Sequence, residues 1–271
     1  MASTADPVRP RPPERFTRPS AIAFLIYALA VAVVVWAANG AEWSFSELVT
    51  GIPALADFLS RAWPPSLDRF GSLSRALVET FQMAIVGTLV GVVLSVPLAI
   101  LAARGLTGLN WLRWPARGLV ALFRTVPDLV WALIFVIAVG LGPFAGTLAL
   151  AVDTAGFCGR FFAEAMEDVD RGPSDSLRAQ GVRRFDTIFC ATIPAALPAF
   201  VTTSLFALEK STRSSVILGL VGAGGIGLEL KVAMDLFDYP RAATIILMIF
   251  VLVVAVEQAG AMVRARIIKD R

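Results

Sequence analysis

The residues of this chain able to handle a charged solute are few and stand in apolar company. Arg124, Lys210 and Arg213 lie in or beside long uncharged runs, with the hydroxyls of Thr125, Ser214 and Ser215 next to them and Asp128 close by. Cations and hydroxyl donors so grouped make charge-assisted hydrogen bonds to oxyanions. Ionisable residues at membrane depth are costly, and they are candidates for a solute passage by default. A second reading stands beside this one: Arg124 anchors the end of a span, and Glu209, Lys210 and Arg213 pair with one another.

Much other chemistry is excluded. The chain has no histidine, so His-based acid–base catalysis, Ser-His-Asp and Cys-His nucleophiles and His-containing metal sites are absent. The two cysteines, Cys158 and Cys190, form no CxxC pair and read as small buried residues. No metal site is expected. Asp128, Asp153 and Glu164 are the carboxylates a membrane enzyme would use, but nothing pairs them, and no catalytic residue is assigned. Gly222-Ala223-Gly224-Gly225-Ile226-Gly227 satisfies GxGxxG, yet the βαβ unit and the acid of a dinucleotide site are missing around it. Gly222, Gly224 and Gly225 are read instead as an irregular turn lining a passage. Such backbone is tolerated at membrane depth only against protein or water. There is no GxxxxGK[ST] segment to cradle ATP phosphates, so an ATP-driven role requires a partner. The net charge of +3, with no basic stripe carrying interleaved aromatics, gives no sign of nucleic-acid binding.

These residues are positioned by apolar helices. Of 271 residues, 57% are hydrophobic and 17% charged, against about 25% charged in ordinary soluble domains. A span needs about 20 apolar residues. Uncharged runs of that order are Pro19–Ala41, Thr80–Ala103, Leu129–Val152 (broken by Gly140-Leu141-Gly142-Pro143) and Thr187–Leu208, with a shorter one at Ala242–Val256. The break reads as a hairpin between helices centred near Val130 and Ala155. The expectation is an all-α polytopic membrane protein of about six transmembrane helices, whose first run is a retained helix and not a cleaved leader. Residues 1–18 form an Arg/Pro-rich arm. Residues 19–75 hold the first span and an outer loop. Residues 76–264 hold the remaining spans, and 265–271 form a tail. Lys and Arg in the short loops fit an even number of spans with both termini in the cytoplasm.

In the outer loop, Leu48, Ile52, Leu55, Leu59 and Trp63 recur at helical spacing until Pro64-Pro65 ends the pattern. An amphipathic helix follows, lying on the membrane or packed on the ends of other spans. The one long polar segment runs from about Glu164 to Asp186. Gly172-Pro173 breaks it, Ser174 or Asp175 is expected to cap a short helix, and Gly181 ends it. Leu177, Val182, Phe185, Ile188 and Phe189 give the segment an apolar side, with Arg178, Arg183 and Arg184 exposed. A short amphipathic helix held out of the membrane suits a groove on another protein. A plain solvated connection is the other reading.

Here a resemblance becomes specific. Asp175-Ser176-Leu177-Arg178-Ala179-Gln180-Gly181, followed by Ile193-Pro194, resembles the cytoplasmic coupling loop of ABC-importer permeases, with its EAA-type start, its glycine and its later Leu-Pro. It departs from that pattern in Asp175 for Glu and Ser176-Leu177 for Ala-Ala. Together with Glu79–Ala84, Arg124–Phe135, Arg213-Ser214-Ser215 and Gly219–Gly227, this makes residues 75 to 260 resemble the permease subunit of phosphonate and phosphite ABC importers.

The resemblance implies a type I permease fold with a coupling loop at about residues 170–194. It implies a second permease copy and two ATP-binding subunits, which hold the ATP and Mg that this chain does not. A periplasmic or lipid-anchored solute-binding protein completes the assembly in the lipid membrane. The coupling residues it points to are Asp175, Ser176, Leu177, Arg178, Ala179, Gly181, Phe185 and Pro194. The alternative is a stand-alone secondary transporter or channel, for which inverted repeats would be wanted, and none is seen.

Overall fold

The computed structural model describes residues 20–269, and the Arg/Pro-rich arm lies outside them. The described residues form helices and connecting turns without a strand. Two compact units divide at Asp57 and Phe58.

The first unit holds helix α1 (Ala21–Gly40) and most of α2 (Phe45–Ala62). The Ser20 hydroxyl accepts the Ala23 N–H at 3.2 Å and starts α1, as an N-cap serine should. α1 is apolar around its whole circumference, which suits a helix immersed in lipid. Ser44 likewise accepts the Glu47 N–H and starts α2, the amphipathic helix expected from the spacing of Leu48 to Leu59.

The second unit is built on α3 (Phe70–Ala102), α6 (Pro143–Asp168) and the long helix that ends in α9 (Ile193–Gly219). α3 and α6 pack through small residues. A Cβ on Gly87 would sit 2.7 Å from Leu150 Cβ, and one on Gly91 2.7 Å from the Ala151 carbonyl. Gly87, Gly91 and Ser95 thus form a stripe that lets two backbones approach closely, the usual device where lipid removes any hydrophobic drive between helices. Towards the Asp168 end of α6, Phe162 and Phe200 stack at 4.1 Å inside a core with Ala99, Met166 and Ile188.

Among the described residues, four helices are long and apolar enough to cross a membrane: Ala21–Gly40, Phe70–Ala102, Arg184–Gly219 and Tyr239–Arg266, the last within α11 (Tyr239–Lys269). A bent pair, α4 (Asn110–Thr125) and α5 (Asp128–Val139), makes a fifth if counted as one span. The third expected span is therefore not a simple helix: its two parts meet at 93°. Pro127 has no N–H to continue α4 and disfavours helix at Val126 before it, so the chain turns there. The fourth expected span is α6, which is not apolar enough by composition. It is mostly buried against α3, α4, α5 and α9, and so carries Asp153, Thr154 and several glycines. The hairpin between the two lies where expected, with α5 ending at Val139 and Pro143 opening α6.

The fifth span also differs from its expected end at Leu208. The helix runs on to Gly219, so Glu209, Lys210 and Arg213 lie within it.

Candidate functional site

Glu209 and Lys210 can stay in a helix at this depth because each meets an opposite charge on another helix. Lys210 Nζ lies 2.7 and 2.9 Å from the two carboxylate oxygens of Asp153 on α6. Arg264 on α11 donates to Glu209 Oε1 at 2.6 Å. The expected pairing of Glu209, Lys210 and Arg213 among themselves does not form. Their partners lie 57 and 55 residues away in the chain.

At a rise of 1.5 Å per residue, Lys210 stands about 26 Å along α9 from Ile193 and about 14 Å from Gly219. Asp153 stands about 15 Å from Pro143 on a helix about 39 Å long. The pair therefore lies in the interior of both helices, about 14 Å or more from any of their ends. Thr154 and Ser211, one residue on in each helix, share a hydrogen bond at 3.3 Å that fixes the register. Lys210 Nζ also sits 5.3 Å from the centre of the Phe157 ring, a favourable cation–π placement.

Lys210 is not buried. Its side chain is 36% exposed against 11% for Asp153. It belongs to a row on α9 comprising Thr203, Phe206, Lys210, Arg213, Ile217 and Leu220, spaced three and four residues apart so that all share one face. Arg213 is exposed, and no carboxylate among the described residues forms an ion pair with it. Ser214 and Ser215 turn away from this row: both are buried, and Ser215 donates to the Thr212 carbonyl at 2.9 Å.

Arg124 and Thr125 end α4 and are exposed. Gly156 admits them to α6: a Cβ there would lie 2.6 Å from Phe123 Cβ and 3.1 Å from the Arg124 nitrogen. The Arg124 backbone therefore lies about one turn of α6 from Asp153. Asp128, half-buried, accepts the N–H of Leu129 at the start of α5. The indole of Trp131 on α5, packed on Phe123 and Phe135, has no hydrogen-bond partner for its buried N–H among the described residues. Neither this donor nor the Asp153–Lys210 pair stood out from local spacing.

The glycine-rich segment is a turn against protein. Gly222, Gly224 and Gly225 have φ of 93°, 81° and 70°, a region that side chains disfavour. The Gly222 carbonyl accepts the Gly142 N–H at 3.0 Å. Beyond it, α10 (Gly225–Asp235) opens on donors with distant acceptors: Glu79 takes the Gly225 N–H at 3.0 Å and Thr80 takes the Ile226 N–H at 2.7 Å. Two segments that were separate motifs in the sequence thus form one structure.

The polar segment holds α7 (Gly172–Ala179), and α8 (Arg184–Thr187) passes through one π-helical turn, Ile188–Thr192, into α9. α7 starts earlier than expected. Gly172 and Pro173 are its first residues, and neither Ser174 nor Asp175 caps it. Asp175 lies in the first turn, where its charge still suits the helix dipole. Gly181, at φ 82° with open space around it, turns the chain as expected. Asp175, Ser176, Arg178, Ala179, Phe185 and Pro194 are exposed and Leu177 half-exposed, while Ile188 is fully buried. At the base, Glu167 near the end of α6 accepts the Arg104 N–H at 2.7 Å and Arg117 Nη2 at 2.8 Å. It binds the α3–α4 connection to the helix that leads into α7.

Known proteins are similar to this chain in sequence and in fold. The family described as binding-protein-dependent transport system inner membrane component matches residues 95–269. The phosphite transport system permease protein PtxC of Stutzerimonas stutzeri is 36% identical over 219 residues, 81% of this chain and 80% of that protein. The phosphate-import permease protein PhnE of Mycolicibacterium smegmatis is 38% identical over 222 residues, 82% of this chain. The match spans 42% of that longer relative's length. Among solved structures, an inward-facing MetNI methionine ABC transporter chain superposes with a TM-score of 0.67 at 22% identity, over 74% of this chain and 99% of that one. A chain of a bacterial alginate ABC transporter gives 0.60 at 16% identity, over 90% and 96%. These last two share the fold. With all-helical architecture and matching sequence, the chain belongs to the binding-protein-dependent transport system inner membrane components, as a permease subunit and not an enzyme.

Proposed function

We propose that this chain is the permease of an ATP-driven importer of phosphonate-like oxyanions, phosphonate or phosphite among them. Two copies enclose the passage. The α9 row carrying Lys210 and Arg213 supports this reading above all. Partly exposed Lys210 and exposed Arg213, both within a span, cannot face lipid without a large desolvation cost. They face water or another protein, and a second copy presenting the same row around a shared axis supplies both. Cations are the right lining for an oxyanion. The names of the relatives, one a phosphite and one a phosphate-import permease, favour the same substrate class.

Coupling runs through the exposed loop of α7 and α8. Asp175 to Ala179, Phe185 and Pro194 are presented to a groove on an ATP-binding subunit, with Gly181 as the turn between the helices. In this reading the α7 end faces the cytoplasm, and the distribution of Lys and Arg in the sequence favours both termini there too. The turn at Gly222–Gly225 faces the other side, where a solute-binding protein delivers the oxyanion. ATP and Mg are bound by the ATP-binding subunits.

The assembly is tested by native mass spectrometry of the protein purified from its own membrane in mild detergent. The expected mass is that of two copies of this chain with two ATP-binding subunits. A chain that purifies alone, in any oligomeric state, while the ATP-binding subunit runs separately would overturn the reading in favour of a stand-alone transporter.

A further inference from the structure

The Asp153–Lys210 pair poses a chemical problem for the passage just described. A cation meant for a passing oxyanion is already held by a carboxylate, through both of its oxygens, at 2.7 and 2.9 Å. The Glu209–Arg264 pair is the more enclosed of the two, at 7% and 23%. Asp153 is nearly buried at 11%, while the Lys210 side chain is 36% exposed and shares a row with exposed Arg213.

We propose that Asp153 is a resident stand-in for the transported oxyanion. It holds Lys210 while the passage is empty and yields it when a phosphoryl group arrives. The inference rests on the reading of the α9 row as passage lining.

Three observations carry it. The first is shape. Two carboxylate oxygens on one ammonium reproduce how two oxygens of a phosphonate or phosphite would sit there. The second is anchoring. Lys210 extends over the Phe157 ring, and the Thr154–Ser211 bond fixes the helices beside it, so the ammonium can change partners while the backbones keep their register. The third is charge. In each copy the row carries Lys210, neutralised by Asp153, and Arg213, which has no carboxylate partner among the described residues, so one net positive charge remains per copy and two in a pair of copies. That matches a dianion. The Glu209–Arg264 pair is neutral in itself and adds nothing.

The stand-in also gives the Lys210 ammonium a partner while the passage is empty. An unpaired ammonium there is expensive, and removing one partner of such a pair is strongly unfavourable. Whatever oxyanion enters must therefore replace Asp153. A neutral solute cannot do so, and a monoanion gains less than a dianion. Selectivity in the passage follows from the resident carboxylate and needs no tight site.

The test uses the assembled importer, permease with its ATP-binding subunits, and phosphite as the probe, with binding measured without the solute-binding protein and uptake measured with it added. In Asp153→Asn, Lys210 lacks its partner, so phosphite should bind at least ten-fold more tightly than to wild type by equilibrium dialysis. ATP-driven uptake should slow through delayed release. Adding Lys210→Gln to Asp153→Asn should abolish the gained binding and return thermal stability towards wild type. An assembled Asp153→Asn complex that binds phosphite no better than wild type overturns the proposal. If that single variant does not assemble, the double variant decides. A KM for phosphite uptake raised several-fold supports the stand-in, and kinetics equal to wild type overturn it. Failure of the functional reading looks different, because the wild-type importer itself would then take up no oxyanion.

Discussion

Thr80 Oγ1 on α3 accepts the backbone N–H of Ile226 at 2.7 Å, across 146 residues of sequence. With Glu79 beside it on the Gly225 N–H, this bond satisfies two of the free donors that every helix start leaves, here the start of α10. It joins the two short motifs whose roles were hardest to read apart.

Replacing Thr80 by Val keeps the shape but leaves the Ile226 N–H buried without an acceptor. The expected loss is about 1–3 kcal/mol, seen as a lowered thermal midpoint in detergent. Thr80→Ser should retain most of the stability. Equal midpoints for Thr80→Val and wild type would show that the bond contributes nothing.

Gly91 tests the seam between α3 and α6. A side chain there runs into the Ala151 carbonyl and Thr154, which also belongs to the register beside Asp153. Gly91→Val should cost about 3 kcal/mol by overpacking and lower the yield of folded protein on size-exclusion chromatography. Gly118, which has open space, should accept Ala with little effect.

Gly181 sits at φ 82° with nothing near its missing side chain. Substitution there strains the backbone at a cost of about 1 kcal/mol but clashes with nothing in this chain. Gly181→Asp should therefore leave the permease folded while transport falls and ATP hydrolysis no longer follows substrate. Undiminished transport by this variant, measured in the reconstituted importer, would count against the coupling role.

Glu167 ties the Arg104 backbone and the Arg117 side chain to the end of α6. Glu167→Gln keeps acceptor geometry and removes the charge. The expected outcome is near-normal folding with weakened stimulation of ATP hydrolysis by substrate, because the strut beneath α7 is loosened. Stimulation identical to wild type would assign Glu167 to stability alone.

The sequence announced some of this and concealed the rest, for physical reasons. Uncharged runs and the Gly140–Pro143 break are local signals, and the helices lie on them. The turn at Gly181 was legible because glycine after an amphipathic stretch has few other uses. α6 was harder to see: a helix enclosed by other helices is freed from the demand to be apolar, so Asp153 and its glycines diluted the signal. Pro127 marked a break, but neither the 93° angle nor the seat of Phe123 against Gly156 of α6 is revealed by a local pattern. The charges of α9 misled most. Glu209, Lys210 and Arg213 are neighbours in sequence, yet the helix sends them to three different surroundings. Their partners, Asp153 and Arg264, come from other spans.

The central claim is that this permease imports oxyanions only when coupled to ATP. The direct measurement is phosphite and methylphosphonate uptake into proteoliposomes holding this chain with its ATP-binding subunits, with ATP hydrolysis followed in the same vesicles. The account predicts uptake that requires ATP and the solute-binding protein and is accompanied by hydrolysis. Uptake by this chain alone, driven by an ion gradient without ATP, would contradict it.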